Sequence, residues 1–271
     1  MAVDEQKISA IVEQVMSRLR EEGGVGMGRM ADAPIVVTNI NTPGTLGIHN
    51  DIDGCIAAAM SAHEQLMRMS LEVRGRAIQA IRDVAVANAP ELARLAVDET
   101  GMGRVEDKIA KNKLAALRTP GIEILVPRAV TGDYGLTLTE RAPYGVICSI
   151  TPSTNPTETI INNAIGMIAG GNAVVINPHP KAKKTTVHTV RMLNRAVMAA
   201  GGPDNLICAI PEPTLESADK LMRHSAIRLV VVTGGPGVVR AAMSTGKKVI
   251  GAGPGNPPAL VDETAVLPNA A

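Results

Sequence analysis

Three short turns hold most of the residues with chemical capacity in this chain. Thr151-Pro-Ser-Thr-Asn-Pro-Thr, Asn177-Pro-His-Pro and Thr233-Gly-Gly-Pro-Gly each follow an apolar run of strand character. The first two offer hydroxyls, amides and an imidazole. The third is a glycine-rich turn ahead of a helix, where backbone N–H groups and a helix N-terminus can approach a phosphate. Each turn alone is also an ordinary loop signal. In a parallel sheet, however, turns at the carboxyl ends of strands gather at one edge, and the three together point to a nucleotide site. Their spacing is not G-x-G-x-x-G, so the standard dinucleotide fingerprint does not apply.

The elements that must position these turns begin with one stretch, Pro143 to Lys184, which reads as apolar strand, polar turn, helix, then a second apolar strand. That order is a parallel crossover unit. Alternation continues through Val146–Ile150, Glu158–Ile168, Ala173–Asn177, Thr185–Ala200, Leu206–Ile210, Leu215–His224, Ile227–Thr233, Val238–Ser244 and Lys248–Gly251. Four apolar strands with intervening helices predict an α/β fold with a doubly wound parallel sheet. Upstream, two helices between Ile52 and Asn88 are divided by the N-cap signal at Ser70, and further helices cover Pro90–Glu99 and Glu106–Leu117. Residues 129–141 alternate apolar with polar around Gly-Asp-Tyr-Gly, a β-hairpin arm whose exposed edge suits subunit pairing. At the N-terminus, residues 1–21 place Ile8, Ile11, Val12, Val15, Met16 and Leu19 on one face of an amphipathic helix, and 22–34 form a Gly-rich flexible linker. Such a helix either caps its own domain or docks in a partner's groove.

Composition narrows the function classes. A net charge of +1 in 271 residues gives no long-range field, and no basic patch beyond Lys181, Lys183, Lys184 and Lys247, Lys248 argues for nucleic acid; these pairs read as solvated faces. No apolar run approaches the ~18 residues of a membrane span, and the expectation is a cytoplasmic protein. Cys55, Cys148 and Cys208 have unrelated spacings, and the five histidines share none with one another, so neither a disulfide scaffold nor a metal site is expected. Phe and Trp are absent, leaving Tyr134 and Tyr144 as the aromatics, so Ile, Val, Leu, Ala and 13 Met must fill the core.

The run PYGVICSITPSTNPTETIINNAIGMIAGGNAVVINPHPKAKK, with EPT, VVTGGPGVV, GKKVIGAGPGNPP, VDET and ETGMGRVEDKIAKNKLAALRTPG, closely resembles the CoA-acylating aldehyde dehydrogenases of bacterial microcompartments. The resemblance covers nearly the whole chain. It implies the aldehyde dehydrogenase fold, NAD as hydride acceptor, coenzyme A as acyl acceptor and an aldehyde substrate. It also implies that Asn155 is an oxyanion donor to a thiohemiacetal. By the same resemblance, Thr151, Pro152, Ser153, Asn177, His179, Thr233, Gly234, Gly235, Gly253 and Gly255 bind cofactor. Thr233 to Gly235 match the pyrophosphate contact, while Asn177 and His179 stand where the adenosine ribose lies. Hydrolytic relatives place a general-base glutamate in the segment where this chain has Ala252, which fits release of the acyl group by a thiol rather than by water.

The family's nucleophilic cysteine lies after the GNPP segment, and none of the three cysteines stands in for it: Cys148 and Cys208 fall in apolar strands and Cys55 on an apolar helix face. The expected organisation is a targeting helix (1–21), a linker (22–34), an NAD(H)-binding domain (35–258) with its hairpin arm, and the start of a truncated catalytic domain (259–271). The resemblance further implies an encapsulation peptide at residues 1–21 that binds a microcompartment shell protein, a place in the microcompartment lumen, and a homo-oligomer paired through the arm. The alternative is a non-catalytic cargo or assembly module.

Overall fold

A computed structural model describes residues 46–253, 255, 258–266 and 268. The helix expected at residues 1–21 and the linker expected at 22–34 lie outside the described residues. From His49 onward, four helices precede any strand: α1 (Ile52–Met67), α2 (Leu71–Ala87), α3 (Ala89–Thr100) and α4 (Val105–Arg118). Their ends follow local chemistry. The Asp51 carboxylate accepts from Gly54 N at 2.8 Å to start α1, and Ser70 caps α2 as its sequence signal predicts. Gly101 ends α3 in the left-handed region at φ 68°, a conformation that glycine adopts without Cβ strain.

The arm is a two-stranded antiparallel ribbon, β1 (Arg128–Gly132) with β2 (Gly135–Thr139), closed by Asp133 and Tyr134. Both strands are exposed throughout. The main sheet then follows: β3 (Val146–Ile150), α5 (Pro156–Ala169), β4 (Ala173–Asn177), α6 (Lys183–Ala199), β5 (Ile207–Ala209), α7 (Leu215–Arg223), β6 (Ile227–Thr233), α8 (Pro236–Met243) and β7 (Lys248–Ala252). All pairings in it are parallel, in the order β5-β4-β3-β6-β7.

The main sheet thus has five strands, the four apolar ones and β7, which the alternation places at Lys248–Gly251. β3 and β4 are buried at every position, as apolar runs should be. β7 lies on the sheet's edge with four of its five residues exposed, so its mixed Lys-Val-Ile-Gly-Ala composition never met the requirement that makes a buried strand apolar. At the other edge β5 is covered. Gly47 O accepts from Ala209 N at 2.8 Å and His49 N donates to Ala209 O at 3.2 Å, making residues 47–49 a strap along β5. Gly47 has φ +83°, and a Cβ there would stand 2.0 Å from Ile207 O, so the strap needs glycine.

Two of the lysines expected on solvated faces are held there by partners. Lys183 pairs with Glu212 and Lys247 donates to His224 O, both half-buried. The core is one aliphatic cluster of Ile, Val, Leu, Ala and Met from the sheet and its flanking helices; Tyr144 packs only at its margin.

Candidate active site

The strand order reverses at β3: the chain runs outward through β4 and β5, then returns to place β6 on β3's other side. Strand-to-helix turns diverge at such a switch point and leave a crevice at the carboxyl ends of the strands. A cavity of about 840 Å³ occupies that position. Into it come Thr151, Pro152, Ser153 and Asn155 after β3, Asn177 and His179 at the end of β4, and Thr233, Gly234 and Gly235 at the end of β6. Gly253 and Gly255, after β7, complete one wall. All eleven residues singled out from the sequence at this end of the sheet therefore line one cavity.

Backbone bonds hold the turns together. Thr151 N donates to Asn177 O at 3.3 Å, and Gly234 N to Ala252 O at 3.1 Å. Asn177 is buried, and its Oδ1 accepts from Ser217 Oγ at 2.6 Å, tying β4 to the start of α7. His179 Nδ1 accepts from Lys181 N at 3.1 Å, and partial burial with Lys181 nearby lowers its pKa, favouring the neutral ring. His179 is the one titratable side chain among the described lining residues. Recognition here falls to hydroxyls, amides and backbone N–H groups instead of ion pairs.

Two observations indicate room and demand for a ligand. Thr151 Oγ1 is buried and has no hydrogen-bond partner. A Cβ placed on Gly235, Gly253 or Gly255 would meet nothing within 4 Å, so these glycines leave backbone open where a side chain would intrude. Gly235 is also the N-cap of α8, whose first-turn N–H groups lack intrahelical acceptors.

Asn155 is the N-cap of α5 but makes no capping bond with its side chain. Its Oδ1 accepts from Lys111 Nζ at 3.3 Å, and its Nδ2 has only a long contact with Thr154 Oγ1 at 3.5 Å. The amide is half-buried at the cavity wall, where an N–H donor could meet developing negative charge.

Sequence reasoning missed the far wall. Thr214, Leu215 and Ala218 at the start of α7 line the cavity, with Val238 from α8. Thr214 and Ser217 form a reciprocal capping box, a signal legible only to a reader who accepts Ser in place of Glu at its fourth position. It also missed Lys108 of α4, which is buried, 2% exposed, behind the β3–α5 turn.

The three thiols are remote from this chemistry. All are buried. Burial pushes Cys55 up to about 12, with Asp51 adding to the effect; it raises Cys148 further and holds Cys208 well above the usual thiol range. No described group of His, Cys, Asp or Glu has the clustering of a metal site, and no described helix is long and apolar enough to cross a membrane.

Comparison with known proteins agrees with the geometry. The aldehyde dehydrogenase family model matches residues 42–271. The acetylating acetaldehyde dehydrogenase EutE of Salmonella typhimurium is 53% identical over 227 residues, which are 83% of this chain and 48% of that protein. Rhodopseudomonas palustris propionaldehyde dehydrogenase, solved with bound CoA, is 48% identical with a TM-score of 0.78, covering 83% of this chain and 52% of that one. The propionaldehyde dehydrogenase of the Clostridium phytofermentans fucose utilisation microcompartment is 51% identical with a TM-score of 0.77, again over 83% and 52%. The chain spans about half the length of the curated relatives it matches. With its parallel sheet, its switch-point cavity and a family match over most of its length, this chain belongs to the aldehyde dehydrogenase family.

Proposed function

We propose that this chain supplies the cofactor-binding part of a CoA-acylating aldehyde dehydrogenase, which converts an aldehyde, CoA and NAD into an acyl-CoA and NADH. The observation that carries the reading is the convergence of turns from β3, β4, β6 and β7 on one switch-point cavity whose glycines leave the backbone open. The identity to acetylating and propanoylating dehydrogenases supports the acyl acceptor. NAD would lie along Thr233, Gly234 and Gly235 and reach Thr151 to Ser153, with Asn177 and His179 towards the ribose; when bound it accepts hydride. Asn155 presents its side-chain amide to the carbonyl oxygen as negative charge develops there. With Cys55, Cys148 and Cys208 buried and held as thiols, the nucleophilic thiolate comes from outside these 271 residues.

Titration with NADH and with CoA tests the reading. Saturable binding of either, lost when a cavity glycine is filled, is the expected result. Absence of both at millimolar ligand would defeat it.

The same reading places the protein in a microcompartment lumen, docked to a shell protein through Ile8, Ile11, Val12, Val15, Met16 and Leu19, and pairs copies through the exposed ribbon of β1 and β2. The relative from a fucose utilisation microcompartment and the exposed Val130, Tyr134, Leu136 and Leu138 support these assignments. A fluorescent reporter fused to residues 1–21 should collect at shells and disperse with Ile11→Glu; uniform fluorescence from the unmutated fusion would count against docking.

A further inference from the structure

Helix α4 lines none of the cavity, yet two of its lysines reach the turn that forms its floor. Lys108 carries an ammonium group at 2% exposure. Its Nζ donates to the carbonyl oxygen of Thr154 at 2.7 Å and stands 3.9 Å from Oε1 of Glu158, itself buried in the first turn of α5. The other Glu158 oxygen accepts from Thr157 Oγ1 at 3.1 Å. Its stem passes close by Gly103, where a Cβ would stand 3.3 Å from Lys108 Cε. Were filling space the only requirement, Met would do so without removing a charge from water. The acceptors, above all the Thr154 carbonyl, account for the ammonium.

That carbonyl shares a peptide plane with the Asn155 N–H, so holding the oxygen fixes the plane from which the Asn155 side chain departs. Asn is a favoured helix N-cap whose side chain ordinarily folds onto the helix end. Here it does not, and Lys111, one turn after Lys108, holds its Oδ1 instead.

We propose that Lys108 is a positioning residue: through the Thr154 carbonyl it locks the turn at 151–155, so that the Asn155 amide stays at the cavity wall instead of capping α5. The consequence for chemistry rests on the proposed function; the locking itself does not.

The test uses hydrogen–deuterium exchange on the full chain, comparing wild type, Lys108→Met and the double variant Lys108→Met with Glu158→Gln. Removing the lysine alone leaves a buried carboxylate without its cation, and the double variant removes that complication. Expected in both is amide exchange at least tenfold faster across 152–159, with the protection of β4 and β6 unchanged, and NADH affinity about tenfold weaker. Wild-type exchange at 152–159 in the double variant would overturn the proposal, because the lysine would then serve only to neutralise Glu158. If the unmutated chain bound no NADH, that would count against the proposed function, and the exchange rates would still decide the role of Lys108.

Discussion

Replacing Gly235 by leucine separates the demands of folding from those of binding. Gly235 has φ −66° and ψ 163°, an extended conformation open to any residue. A Cβ there meets nothing within 4 Å. The native state gains no strain, while the unfolded chain loses glycine's freedom, worth about 0.4–1 kcal/mol in favour of folding. For a domain of this size about 1 kcal/mol moves Tm by roughly 2–4 °C, so Tm should hold or rise slightly. Binding should respond in the opposite sense. An isobutyl group in the mouth of the α8 N-terminus keeps a pyrophosphate from the backbone, and each charge-assisted hydrogen bond lost costs about 1.5–3 kcal/mol. Loss of one predicts NADH affinity weaker by about tenfold or more, since each ~1.4 kcal/mol is tenfold. Calorimetric titration and scanning calorimetry on the same samples check both halves. Gly166→Ala is the control, an exposed helical glycine of α5 with open space around it. Unchanged affinity in Gly235→Leu would refute the placement of the pyrophosphate. A Tm loss beyond about 8 °C, more than twice the roughly 2–4 °C per kcal/mol, would show the glycine to be structural.

Gly47→Ala should act on the fold instead. Left-handed strain of about 1–2 kcal/mol adds to a Cβ placed 2.0 Å from Ile207 O, which must lift the strap from β5. A Tm fall of about 6 °C or more by scanning calorimetry is expected, at roughly 2–4 °C per kcal/mol, and no change would mean the strap contributes nothing. The buried thiols set an alkaline limit. Burial raises the folded Cys55 thiol from its ordinary 9.0 to about 12, so between those values the unfolded chain has released a proton that the native chain keeps. That stability is fully present below pH 9 and is lost as pH rises towards 12. Tm should therefore fall from pH 8.5 to pH 10.5, less steeply in Cys148→Ala, and equal slopes would contradict the assignment. A thiol reagent at neutral pH should label none of the three until the protein unfolds.

The parts of the site legible in the sequence were those tied to unambiguous strands. β3 and β4 are apolar because both faces of the sheet are covered there, and β6 is buried at four of its seven positions, so their ends, and hence the turns after them, could be placed by reading alone. β7 is placed at Lys248–Gly251 only by its position in the alternation, since an exposed edge strand imposes no apolar pattern of its own. The strap at residues 47–49 is too short to show any period, and its partner β5 is about 160 residues away. Lys108 and Lys111 are written as an ordinary charged helix face. Only the packing of α4 on α5 turns one of them inward, and nothing in the spacing DKIAK distinguishes that lysine from its solvated neighbours. The uncapped Asn155 is likewise invisible, since the sequence reports a good N-cap and the fold declines to use it.

The ring-free core has an experimental consequence of its own. With no tryptophan in the chain, excitation near 295 nm finds no protein fluorophore, and the emission of bound NADH would be read against a dark background. Tyr134, fully exposed at the ribbon tip, and Tyr144, half-buried under Lys248, would report separately on the arm and on the amino end of the sheet. Ile160, Ile161, Ile165, Ile168 and Ile176 are fully buried, and selective isotope labelling of their methyl groups would give probes around β3 and α5 uncomplicated by shifts from neighbouring Phe or Trp rings. Mechanically, an interior assembled from many small aliphatic units has no single large ring whose removal would open a correspondingly large void. Its tolerance to mutation is spread over dozens of positions, each carrying a modest share.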